Sequence, residues 1–99
     1  HAQAQVPCWR GAAEVPPPGA LSCGASVIRY QRAASAMVEL RWNDAGGPRL
    51  RRLLLVDGRV VGSDAADAPR MQNGPGDTYR VDVAPDEHYA LPHALVSGG

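Results

Sequence analysis

His88 directly follows Asp86 and Glu87, so a side chain that titrates near neutral pH stands beside carboxylates able to orient its ring. An acid–base catalyst in this chain would be built from His88 with Asp86 or Glu87. His93 comes five residues later, a spacing that places the two rings on opposite faces of a straight strand unless Pro92 bends it. The plainer account is two imidazoles on an edge strand that are solvated or locally hydrogen-bonded. Gly62-Ser63-Asp64 lacks the Gly-x-Ser-x-Gly elbow that exposes a nucleophilic serine. Asp64, Asp67 and Asp77 are acidic residues of turns, without the Asp-x-Asp-x-Asp-Gly spacing of a calcium loop. No catalytic residue, metal site or cofactor is therefore expected, and the chain is not read as an enzyme.

Binding is the better prospect. Arg41, Arg49, Arg51 and Arg52 fall on two successive extended segments, where planar guanidinium groups would suit carboxylate or phosphate. The bland reading of the same stripe is a solvated strand face paired with Glu39 and Asp57. Met71 and Gln72 lie within a long loop, residues 62–77, and would present a tip to a partner or fold back over an open end of the sheet.

Ten acidic and ten basic residues give a formal net charge of zero, and only 5% of residues are aromatic. Neither counterion release nor base stacking is supplied, which excludes nucleic acid as an expected partner. The longest apolar run, Leu53 to Val56, has the length of a core strand and not of a membrane span. All ten basic residues are Arg, and Phe is absent, a composition that GC-rich codons produce in bacteria.

Cys8 and Cys23 are the two cysteines, with Pro-rich sequence between them and no further metal-type ligands at suitable spacing. A disulfide is the economical assignment, and closing a loop of about 16 residues contributes about 3 kcal/mol through chain entropy. Ala2-Gln3-Ala4 has the small-x-small pattern that precedes signal-peptide cleavage, so His1 to Ala4 read as a signal remnant or a scar. Together these predict a periplasmic or secreted bacterial protein.

The elements that must carry these residues are short strands in a single folding unit. Residues 1–24 read as a Pro-rich N-terminal arm, stapled by the disulfide and packed down by Trp9; residues 25–99 read as the β domain. Ile28 and Tyr30 alternate with Arg29 and Gln31; Val38, Leu40 and Trp42 alternate with Glu39 and Arg41. Asn43 to Pro48 is turn chemistry, and Asp57-Gly58 between two apolar runs predicts a two-residue hairpin. A helical turn is expected near Ala65 to Ala68, then a strand at Tyr79, Val81 and Val83. Pro85-Asp86-Glu87 reads as a turn. His88–Leu91 with Ala94–Val96 reads as a final strand, marked as an edge by Pro92. The expected fold is all-β: a small antiparallel sandwich or open barrel of five to seven short strands.

In size and class the chain is similar to the membrane-bound family of periplasmic c-type lysozyme inhibitors. That family acts through a Ser-Gly-x-x-Tyr segment; the nearest pieces here, Ser63 and Tyr79, are far apart, and no residue role carries over. The expected function is a non-catalytic binding or accessory domain of the bacterial envelope that recognises a protein partner. The alternatives are a subunit that self-associates as a homodimer through an edge strand, and an inhibitor module of lysozyme-inhibitor type.

Overall fold

The computed structural model describes residues 2–30, 34–84 and 86–97. His1, Gln31 and Pro85, each of which figured in the sequence reading, lie outside them. Along the chain run β1 (Ala2–Arg10), β2 (Leu21–Tyr30), β3 (Ser35–Asp44), β4 (Gly47–Val56) and β5 (Arg59–Ser63), followed by β6 (Arg70–Asn73), β7 (Thr78–Val83), β8 (Glu87–Pro92) and the helix α1 (His93–Ser97). They form one antiparallel sheet in the order β5-β4-β3-β2-β1-β8-β7-β6. Pairing of β8 with β1 curls this sheet into a nearly closed barrel, leaving β5 and β6 to face each other across a seam.

All-β architecture is thus as expected, but the strand count is eight and not five to seven. Residues 2–10 and 21–24 belong to the sheet and do not form a separate arm: β1 pairs with β2 along Ala2 to Cys8 and with β8 along Cys8 to Arg10. Pro7 is tolerated because it lies just before the β8 register begins, where β1 has β2 as its one neighbour. Pro16, Pro17 and Pro18 sit in the β1–β2 loop. The disulfide joins Cys8 to Cys23 at the base of that loop, with Cα atoms 5.9 Å apart.

Alternation places one residue in two toward the barrel interior. Cys23, Ala25 and Val27 of β2, Ala36, Val38 and Leu40 of β3, and Leu53 and Leu55 of β4 are all buried in one core with Val81, Val83, Tyr89 and Leu91. In β2 this reverses the expected face: Ile28 and Tyr30 point outward, 40% and 45% exposed. In β3 the expected inward set holds, with Trp42 packed against the core.

Asp57 and Gly58 have φ of 52° and 74°, both left-handed, as a two-residue turn between right-twisted strands requires. Residues 64–69 are irregular with no helical turn, and β6 follows them within what the sequence suggested was all loop. Pro92 ends β8, which is interior to the sheet, so Pro92 does not mark an edge. His93–Ser97 is a helix and not a strand continuation. It plugs one end of the barrel with Leu95 and Val96, and Arg29 donates to the carbonyls of Leu95 (2.5 Å) and Val96 (3.4 Å), satisfying the orphan acceptors of a helix C-terminus.

Candidate functional site

The end of the barrel opposite α1 is formed by Arg10, Leu21, Trp42, Arg51 and Glu87, all at the matching ends of their strands. Glu87 shares the inward parity of Tyr89 and Leu91, and Arg51 that of Leu53 and Leu55. The two side chains therefore meet inside the mouth. Arg51 donates to both carboxylate oxygens, Nε to Oε2 at 2.7 Å and Nη2 to Oε1 at 2.9 Å. The Tyr89 hydroxyl adds a third donor to Oε2 at 2.5 Å, and Arg10 Nη1 stands 3.0 Å from Oε1. Burial alone would raise the Glu87 pKa; the donors from Arg51 and Tyr89 and the nearby guanidinium charges outweigh it and hold the carboxyl below its ordinary range. Burial and the Glu87 charge push the Tyr89 phenol far up, so it stays a donor. Arg51 also reaches Asp64 Oδ1 at 2.9 Å.

Beside this network a cleft of about 220 Å³ opens between the barrel mouth and the β1–β2 loop. Trp9, Trp42 and Tyr89 supply aromatic walls, Pro17 and Leu21 the loop side, and Arg10 its polar rim. The Arg10 guanidinium lies 5.1 Å from the centre of the Trp42 ring, a cation–π arrangement that fixes both.

The loop wall is held from the outer face of β7 and β8. His88 Nδ1 contacts Asp82 Oδ1 at 2.6 Å, and Nε2 donates to the Gly11 carbonyl at 2.6 Å; a ring protonated on both nitrogens satisfies both. Gly11 turns the loop there with φ of 105°, which suits a residue without Cβ. Trp9 stacks on His88 with ring centres 5.5 Å apart and donates to the Ala13 carbonyl, and Arg80 donates to the Glu14 carbonyl. Asp82 also accepts from Gln72 at 2.7 Å and from Arg80. Burial would raise the Asp82 pKa, but hydrogen bonds from His88 and Arg80 outweigh it and the carboxyl is held low.

No protein-family model, curated protein or solved structure matches this chain.

The residues singled out from sequence are dispersed. Arg41 and Arg52 lie on the outer face, both bonded to Glu39, and Arg41 also to Ser26. Arg49 and Arg51 have the inward parity; Arg49 pairs with Asp44 on the β3–β4 hairpin and Arg51 enters the mouth. The four do not form one stripe. Met71 and Gln72 lie in β6 and not on a loop tip, with the Met71 sulfur accepting from the Val60 amide at 3.4 Å across the seam. His88 is oriented by Asp82, not by Asp86 or Glu87, because Glu87 occupies the opposite face of β8. His93 donates to the Thr78 carbonyl at 3.1 Å and packs against Tyr79. Among the described residues no group of three His, Cys, Asp or Glu side chains is placed to hold a metal, and no helix is long and apolar enough to cross a membrane. Arg10, Trp42 and Leu21 were missed as a group. Their only sequence signal was large side chains at strand ends, which is not specific.

Proposed function

We propose that this chain is a non-catalytic binding domain of the bacterial envelope, periplasmic or secreted, whose partner is a protein that inserts a projecting residue into the cleft at the barrel mouth. The observation that carries this reading is the cleft itself: tryptophan, tyrosine and arginine, the residues that dominate interface energetics, line a space of about 220 Å³. Pockets for drug-sized ligands run from about 300 to 1,000 Å³, so this cleft suits one side chain better than a whole small molecule. The titratable groups around it are spent on structure, since Glu87, Asp82 and His88 each have their polar atoms engaged. The disulfide supports an oxidising compartment.

The test is a pull-down from periplasmic extract with the native protein and with Trp42→Ala and Leu21→Ser. A protein retained at micromolar concentration by the native chain and lost with both variants, at unchanged circular dichroism, supports the reading. Retention that ignores both substitutions, or no retained protein, overturns it.

A further inference from the structure

The cleft has donors to spare and no side-chain acceptors, and from this we infer that the residue it takes is the C-terminal one of the partner polypeptide, with an apolar side chain inside and its terminal carboxylate on Arg10. This rests on the protein-binding reading above and specifies its ligand.

The carboxylates near the mouth are saturated. Glu87 receives Arg51 on both oxygens, with Tyr89 on one and Arg10 beside the other. Asp44 accepts from the Gly46 amide at 2.7 Å and from Arg49 Nε at 2.9 Å, one donor on each oxygen. Neither can welcome an incoming cation without giving up a donor it already has. Arg10 is in the opposite condition. Its guanidinium meets one oxygen of Glu87 and the face of Trp42, and its remaining N–H groups have no partner among the described residues. Its side chain is 47% exposed, so those donors can be reached from solvent. The Trp42 indole N–H likewise has no acceptor among the described residues. The Trp9 indole N–H, by contrast, is committed to Ala13.

A guanidinium with free N–H groups, flattened against an indole, is a ready fork for a carboxylate. The walls behind it are apolar: Pro17, Leu21 and the rings of Trp42 and Tyr89. A ligand must therefore present an apolar group and a carboxylate within one residue's reach, because the cleft holds little more than one side chain. An internal acidic residue brings the carboxylate without the apolar group. A C-terminal Leu, Val or Phe brings both on the same residue.

Both tryptophans of the chain, Trp9 and Trp42, line the cleft, so intrinsic fluorescence reads its occupancy directly. The probes are the peptide acetyl-Gly-Ser-Gly-Leu with a free carboxylate and the same peptide as its C-terminal amide, titrated into the native protein. The free acid is expected to give a saturable shift in emission with a midpoint about tenfold below that of the amide, the discrimination a charge-assisted contact supplies. Arg10→Gln is expected to remove the discrimination, and raising the salt to weaken the acid alone. Equal midpoints for acid and amide overturn the terminal-carboxylate inference while leaving the cleft as a site for an apolar side chain. No saturable response to either peptide overturns both. Because acid and amide are compared on the unaltered protein, the result does not depend on Arg10→Gln folding.

Discussion

Arg51 and Glu87, 36 residues apart in sequence, close a two-pronged ion pair across the barrel mouth, Nε to Oε2 at 2.7 Å and Nη2 to Oε1 at 2.9 Å. The side chain of Glu87 is 6% exposed and that of Arg51 is 20% exposed. This geometry ties β4 to β8 without any backbone pairing between them.

Removing one member of such a pair leaves the other charge uncompensated in a buried site. Arg51→Met is expected to cost about 3 kcal/mol, and Arg51→Met with Glu87→Met clearly less than the sum of the two single changes. Urea denaturation of the four proteins in the cycle measures this. Equal and additive losses would show that the two side chains act independently.

Glu87 and Asp82 both have carboxyl groups held below their ordinary values of 4.5 and 3.8. A folded-state value lower than the unfolded one gives stability that is fully present above the ordinary value and is lost as the pH falls through the depressed one. Stability is therefore expected to be flat from neutral pH down to the ordinary carboxylate range and to fall steeply in stronger acid. Thermal melts across that range check the slope, which should be shallower in Glu87→Gln.

His88→Ala removes the contact that pins the Gly11 carbonyl and one donor to Asp82. A loss of about 1–3 kcal/mol is expected from the unmet buried acceptors. Amide exchange should rise first in residues 11–20 and only later in β3 and β4. A uniform rise across the sheet would show that the loop is not anchored there.

Leu53 is fully buried and Leu54 is 40% exposed, although they are adjacent and alike. Leu53→Ala is expected to cost about 3 kcal/mol and Leu54→Ala within about 0.5 kcal/mol. Chemical denaturation of the two variants tests the parity of β4 directly.

Cys23 is fully buried and Cys8 is 6% exposed, so a reductant reaches the disulfide through opening of the fold. Replacing both cysteines by Ala is expected to cost about 3 kcal/mol, for a loop of this length. The rate of reduction in native buffer should track the rate of unfolding; reduction much faster than unfolding would show that the loop base opens by itself.

Local chemistry was legible and parity was not. Asp57-Gly58, the Ala36–Trp42 alternation and the cysteine pair each carry their own signal: a conformational demand, a clear period or a redox constraint. The inward face of β2 was misread because Ile28 and Tyr30 are larger than Ala25 and Val27, and size suggests burial where packing space near the disulfide favours small residues. In β4, apolar residues occupy both faces from Leu53 to Leu55, so the sequence does not reveal that Arg51 points inward. β1 and β6 were hidden by Pro7 and by flanking Gly and Pro. Both are strands because of their neighbours: β1 is covered on both sides in its last residues, and β6 is held by β7 and by Met71 across the seam. The five-residue α1 is too short to announce itself, and its stability comes from burying Leu95 and Val96 and from the Arg29 cap.

The pairing of β1 with β8 has a bearing on how the chain matures. During synthesis or passage through a translocation pore, the segment that emerges first finds β2 at once and then waits, half-partnered, for a segment made about 80 residues later, a separation that makes for slow closure. Until that late arrival the apolar lining stays open to solvent and to helper proteins. The barrel can shut only when its two distant ends are both at hand, which keeps a travelling polypeptide pliable until its journey is complete.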